Sequence, residues 1–340
     1  MKNFSSIITT WYSANKRDLP WRNTTNPYLI WISEIMLQQT RVNQCIHYFE
    51  RFISNFPTIQ ELAAAPEQEV LQNWEGLGYY SRARNIHFSA KYIVNELDGN
   101  FPTNYQELLK LKGIGIYTAA AIASFSFKEK VAVVDGNVFR VLARVFALED
   151  DISAPKTQQK FKLLAEQLMP NWGHEIFNQA IMEFGALQCV PQNPNCEICP
   201  FVGTCEAFAL KTVKELPVKT KKVKVTERAF DYKILIHENN FYLRKRIGKD
   251  IWTGLYEFYN QATIEDVLEE ENLVQIIDKE TIKHQLTHQS LTLNFITYRL
   301  KKSLIIPNFE MVNVSELNNF PLPIVLRNYL NSIIDKVIHG

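Results

Sequence analysis

Four of the five cysteines in this 340-residue chain, Cys189, Cys196, Cys199 and Cys205, fall within 17 residues. No other feature narrows the fold so far. Residues Met1 to Arg17 lack the basic–apolar–small order of a secretion signal. A cytoplasmic chain is therefore expected, and clustered thiols in that setting read as metal or cluster ligands rather than disulfides. The spacing C-x6-C-x2-C-x5-C contains one close pair, Cys196/Cys199, where zinc sites usually show two. Four thiolates suit an iron–sulfur cluster or a tetrahedral zinc. Pro191, Pro194 and Pro200 stiffen the loop, and Cys45 stands apart on an apolar helix as a buried thiol.

The length favours two domains, and 46% hydrophobic residues suffice for a core. No apolar run approaches membrane-spanning length. Net charge is +1, with 25 Lys+Arg and 22 Asp+Glu in residues 1–228 against 12 and 14 in 229–340. That asymmetry is too weak to indicate nucleic acid, so local motifs must carry any such reading. Residues 1–210 read as helices joined by short turns. Residues 211–228 form a basic linker, with six Lys between Lys211 and Lys224. A solvated spacer is the simpler view of it, and a segment lying along a phosphate backbone the sharper one. Residues 229–340 read as α/β, with strands at Phe230–His237, Phe241–Arg246 and Leu291–Leu300, an acidic helix at Ile264–Glu271 and a final helix.

Asn26-Pro27 supplies an N-cap and a first-turn proline for a helix from Tyr28 to Gln39, with Gln38, Gln39, Thr40 and Arg41 at its end. Glu34 is the one charge between Leu29 and Leu37. Desolvation there would raise its pKa and keep it protonated near neutrality, as a leaving nucleobase requires. An exposed or Arg-paired Glu34 is the plain alternative. Further on, Leu108 to Thr118 has the layout of a helix-hairpin-helix, in which Gly113 and Gly115 set the turn and the next helix presents free N–H groups to a phosphate. Tyr117 to Phe127 and Val138 to Phe146 read as further helices. Asp135 is the one acid in Val131–Phe139. It could cap the helix that follows, or stabilise a sugar cation.

Together these segments resemble the helix-hairpin-helix DNA glycosylase superfamily. Leu19-Pro-Trp-Arg22, Ile32 to Arg41 and Gly76-Leu-Gly-Tyr-Tyr-Ser-Arg82 are similar to its MutY adenine glycosylase branch. The resemblance implies a mainly α helix-hairpin-helix glycosylase domain with a 4Fe-4S cluster loop, and a C-terminal α/β Nudix-like domain. It implies a monomeric, monofunctional enzyme acting on duplex DNA that carries adenine opposite 8-oxoguanine or, less well, guanine. By the same resemblance Glu34 protonates adenine, and Asp135 stabilises or covalently traps the sugar cation. Tyr117 and Asn137 order that site. Trp21, Arg22 and Glu183 line the adenine pocket, while Gln39 and Tyr79 wedge the duplex. Endonuclease III, a relative that also cuts the strand, carries a lysine where this chain has Tyr117, so no lyase step is expected. Two acids in apolar settings also argue against a mere damage binder.

Trp252-Thr-Gly-Leu-Tyr-Glu-Phe258 carries the Nudix-like resemblance. A Nudix hydrolase needs paired acids for a divalent metal, yet Asn260 stands six residues after Gly254 and Glu265–Glu270 only faintly echoes the acidic part. A binding-only domain is expected. His284 to Gln289 resembles the lesion-sensing loop, with Leu286-Thr287-His288 where the family has Phe-Ser-His. Thr287 keeps a hydroxyl for the lesion, and Leu286 removes a ring.

Overall fold

The computed structural model describes residues 3–220, 224–260 and 274–339. The chain divides into two compact units. One comprises Met1–Ile53, Thr58–Gln60 and Phe88–Lys222; the other comprises Ser54–Pro57, Glu61–His87 and Val223–Gly340. Among the described residues no helix is long and apolar enough to cross a membrane.

The helices are α1 (Phe4–Asn15), α2 (Pro27–Leu37), α3 (Val42–Asn55), α4 (Ile59–Ala64), α5 (Glu67–Asn73), α6 (Ser81–Glu96), α7 (Tyr105–Leu108), α8 (Ile116–Phe127), α9 (Gly136–Val145), α10 (Pro155–Leu168), α11 (His174–Leu187), α12 (Glu206–Ala209) and α13 (Ile324–His339). Local chemistry explains several boundaries. Asn26 accepts the Tyr28 N–H at 2.9 Å and Pro27 opens α2. Asp135 caps α9 by accepting the Asn137 and Val138 amides at 2.9 and 2.8 Å. Helix α2 stops earlier than its sequence suggests. Gln38 is extended and Gln39 turns left-handed (φ 61°), so residues 38–41 form a turn instead of continuing the helix.

The core of the first unit gathers Ile8, Val141, Phe161, Phe177, Phe184 and Phe201. Each such side chain contributes about 1.5–3 kcal/mol by leaving water. Cys45 is fully buried. The basic segment after Lys211 is not uniformly solvated. Leu216 is buried, its carbonyl accepts from Arg144 at 3.0 Å, and the Val218 carbonyl accepts from the Ile152 amide at 3.0 Å.

In the second unit, strands β1 (Thr226–His237), β2 (Asn240–Lys245), β3 (Tyr256–Glu257), β4 (Val274–Gln285), β5 (Gln289–Leu300) and β6 (Glu310–Asn313) form one mixed sheet. Its order is β3-β2-β1-β5-β4, with β6 on β2. Strands β1 and β5 run parallel and the other pairs antiparallel. One face packs Ile234, Leu293 and Phe295 against Leu326, Tyr329 and Ile333 of α13. The other buries Leu235, Tyr242 and Tyr298. Residues 61–87 belong to this unit through specific contacts. Glu75 pairs with Arg327 at 2.7 Å, and Arg84 donates to the Thr253 carbonyl. The acidic segment Ile264–Glu271 lies outside the described residues.

Candidate active site

Glu34 is 4% exposed on α2, where Ile30, Trp31 and Ile35 are buried as well. It is buried, so the exposed alternative is excluded. The Tyr117 hydroxyl, from the first turn of α8, donates to Glu34 Oε2 at 2.7 Å. Burial pushes the Glu34 carboxyl up to about 7, Tyr117 and Arg22 pull it down, and the Asp135 charge pushes it up. Tyr117 is itself raised well above its ordinary value by burial and the neighbouring acids, so it remains a donor.

Asp135 is held differently. Besides the two amides, the Asn137 Nδ2 donates to its Oδ2 at 2.7 Å. Burial raises its pKa, while these three hydrogen bonds and the Arg140 charge oppose the rise. The Asp135 anion thus has three N–H donors, whereas Glu34 has the Tyr117 hydroxyl. Arg140 continues the chain of contacts. Its guanidinium donates to Asn137 Oδ1 (2.8 Å), the Gly185 carbonyl (2.6 Å) and the Cys189 carbonyl (2.7 Å).

Glu183 on α11 is 1% exposed and takes both Arg17 and Arg22 in forked pairs, with closest approaches of 2.6 and 2.7 Å. Burial alone would raise its pKa, but the hydrogen bonds from the two arginines bring it down to about 2. With these ion pairs Glu183 clamps residues 17–22 to α11. Trp21 is buried edge-on against Phe49, ring centroids 5.3 Å apart.

The hairpin forms as expected. Gly113 is left-handed (φ 81°), and Gly115 precedes α8 as its N-cap. Gln39 and Tyr79, in separate units, both have left-handed backbones (φ 61° and 49°) and exposed side chains. In the second unit the Tyr79 hydroxyl donates to Thr287 Oγ1. Thr287 and His288 are exposed at the tip of the β4–β5 hairpin. Leu286 packs against the sheet's core.

Cys189, Cys196, Cys199 and Cys205 line one cavity, with Phe184, Phe201 and Val213 among its apolar walls. Burial pushes the Cys199 thiol up to about 11, and the neighbouring thiols add to the rise. Arg144 Nη1 lies 3.5 Å from the Cys189 sulfur, and the same guanidinium ties down the Val190 and Pro191 carbonyls. Among the described residues no three His, Cys, Asp or Glu converge closely enough to hold a metal ion. Four thiols on one cavity are a donor set that suits an iron–sulfur cluster or a zinc ion.

A family model described as HhH-GPD superfamily base excision DNA repair protein matches residues 32–167, and one described as NUDIX domain matches 232–332. The adenine DNA glycosylase of Buchnera aphidicola subsp. Schizaphis graminum (strain Sg) is 38% identical over 295 residues, 85% of each chain. That of subsp. Baizongia pistaciae (strain Bp) is 36% identical over 341 residues, 98% of this chain and 96% of its own. The chain belongs to the adenine DNA glycosylases. The solved structure of a thermostable thymine-DNA glycosylase matches with TM-score 0.57 and 31% identity, over 62% of this chain and 96% of that one. As a DNA glycosylase, the enzyme hydrolyses N-glycosyl bonds, and the two carboxyls around Tyr117 are its candidate machinery.

Sequence reasoning missed several charged residues that the structure pairs or buries. Arg17 shares Glu183 with Arg22. Arg140 and Arg144, four apart on the buried face of α9, were signalled by their position alone: two cations on an apolar helix face need acceptors. In the second unit, Glu257 is 2% exposed and enclosed by Arg244, Arg246 and Asn260, the residue that replaces the Nudix glutamate.

Proposed function

We propose that this glycosylase removes adenine paired with 8-oxoguanine in duplex DNA, and less readily adenine paired with guanine, leaving an abasic site. The observation that carries the chemistry is the pairing of a buried, protonatable Glu34 with an Asp135 fixed by three N–H donors. Glu34 donates its proton to the adenine ring as the C–N bond breaks, so the base leaves neutral with the bonding electron pair. The Asp135 carboxylate stabilises the sugar cation, with Asn137 and Arg140 holding it in place. Water adds to the anomeric carbon and the proton it releases restores Glu34. Arg22, Trp21 and Glu183 shape the pocket that receives the flipped base, and the Gly113–Gly115 hairpin holds a phosphate. Tyr117 offers no amine, so no Schiff base forms and the strand stays intact.

Lesion recognition rests on the exposed Thr287 hydroxyl and His288, with Tyr79 beside Thr287 and Gln39 as the second wedge. Cys189, Cys196, Cys199 and Cys205 would hold a four-iron four-sulfur cluster. When bound, that cluster would supply iron atoms for the four cysteine thiolates, and those bonds would order the loop.

The test is single-turnover incubation with duplexes carrying one adenine opposite 8-oxoguanine or guanine, with strands sized before and after alkali. Breaks are expected only after alkali, and sooner opposite 8-oxoguanine. Equal rates for the two partners discard the recognition role of Thr287. Breaks without alkali discard the role given to Tyr117. Tight binding with no breaks reduces the protein to a damage binder.

A further inference from the structure

Helix α6 carries an exposed aromatic pair beside the hairpin that catalysis does not use. Phe88 is 53% and Tyr92 45% exposed, one helical turn apart. Lys91 is exposed next to them. The hairpin is pinned to this helix, because the Ser89 hydroxyl donates to the Lys112 carbonyl at 2.8 Å. The Lys112 ammonium stands 4.3 Å from the Phe88 ring centroid. Its neighbour Lys110 is paired with Glu107 at 2.7 Å, whereas Lys112 is held by a ring, which leaves its charge available to an anion. Ile116, the first residue of α8 after the hairpin, is 66% exposed. Large apolar side chains left in water in such a group mark an interaction surface.

We propose that α6 extends the hairpin's duplex-binding surface, with Phe88, Tyr92 and Lys112 gripping the sugar–phosphate backbone of DNA beyond the mispair. This rests on the reading of Gly113–Gly115 as a phosphate-binding hairpin. Two features on the same surface select DNA as the partner. Lys91 and Lys112 complement a phosphate chain, and the aromatic pair adjoins the hairpin without a break, through the Ser89–Lys112 bond. The rings offer flat faces to deoxyribose, and the ammonium above Phe88 meets a phosphate. Exposed Glu96 lies at the end of α6, where its charge closes the surface to phosphate.

The experiment measures equilibrium binding of the full chain to a long mispair duplex and to one trimmed close to the mispair, across a salt series. The double variant Phe88→Ser/Tyr92→Ser should bind the long duplex about fivefold more weakly and match the parent on the trimmed one. Lys112→Ala should lower the slope of log affinity against log salt by about one phosphate's worth. Parent-like binding by the double variant, or an unchanged slope for Lys112→Ala, overturns the proposal. Gly115→Asp separates the two readings. Its position has open space and an ordinary φ, so the acid is tolerated and repels phosphate at the hairpin. If Gly115→Asp leaves both affinities intact, the hairpin reading falls and the extension with it. If it weakens both while the aromatic variant changes neither, only the α6 extension falls. Both rings are exposed, so folding should survive their loss, and matching melting curves check this.

Discussion

Glu34 owes its chemistry to its surroundings. A carboxyl at about 7 in the folded chain lies above its ordinary 4.5. Between those pH values the folded chain binds more protons than the unfolded one. Its stability therefore falls as pH rises through that window and levels off above it, by about 3 kcal/mol in all. Glu34→Gln removes the charge and keeps an acceptor for Tyr117. It should melt higher than the parent at about pH 8 and close to it at about pH 5, while excision falls by about 10²–10⁴-fold. Parent excision should also decline as pH rises through about 7. Equal melting of the two proteins at both pH values would show that Glu34 is not the desolvated acid described above. Its place as the one charge in an apolar run suggested burial but left an exposed or Arg-paired side chain open, and the fold decided between them. Its hydroxyl partner could not be read locally, because Tyr117 stands 83 positions away and the chain must fold to bring them together.

Helix α9 shows how one element ties the site together. Asp135 caps it, Asn137 stands in its first turn, and Arg140 and Arg144 extend from it to the cysteine loop. Its approach to α11 depends on Gly185. A Cβ there would lie 2.6 Å from Asn137 Cβ and 2.9 Å from the Asn137 carbonyl oxygen. Alanine would gain about 1 kcal/mol in helix propensity, yet the overlap is with backbone and cannot be relieved by a rotamer change. Gly185→Ala should therefore lower stability by about 1–3 kcal/mol and slow excision, read by thermal melting and single-turnover assay. A variant as stable and as fast as the parent would mean the two helices can part without disturbing Asn137. The Asp135 cap was legible, since capping is a local matter of three residues. The need for glycine at 185 was not, because nothing in its own helix requires it.

Taken whole, the chain does not divide in simple sequence order. Residues 61–87 fold with the C-terminal unit, where Gly254 sits against Leu71 and Arg84, and Glu75 holds Arg327. A chain ended at Lys222 would leave Glu75 without that arginine and Leu71 without its cover. It should melt well below the full chain, and circular dichroism would show this; an unchanged midpoint would mean residues 61–87 need no partner. The amino-acid order alone determined what depends on near neighbours: the Asn26-Pro27 helix start, the hairpin glycines, the alternation in β5 and the thiol spacing. Tertiary structure decided what depends on distant partners: the two arginines on Glu183, the left-handed turn at Gln39, the Tyr79–Thr287 bond and the anchoring of Leu216. Capping and periodicity act over a few residues, whereas burial and ion pairing are properties of a place that exists only once the chain has closed around it.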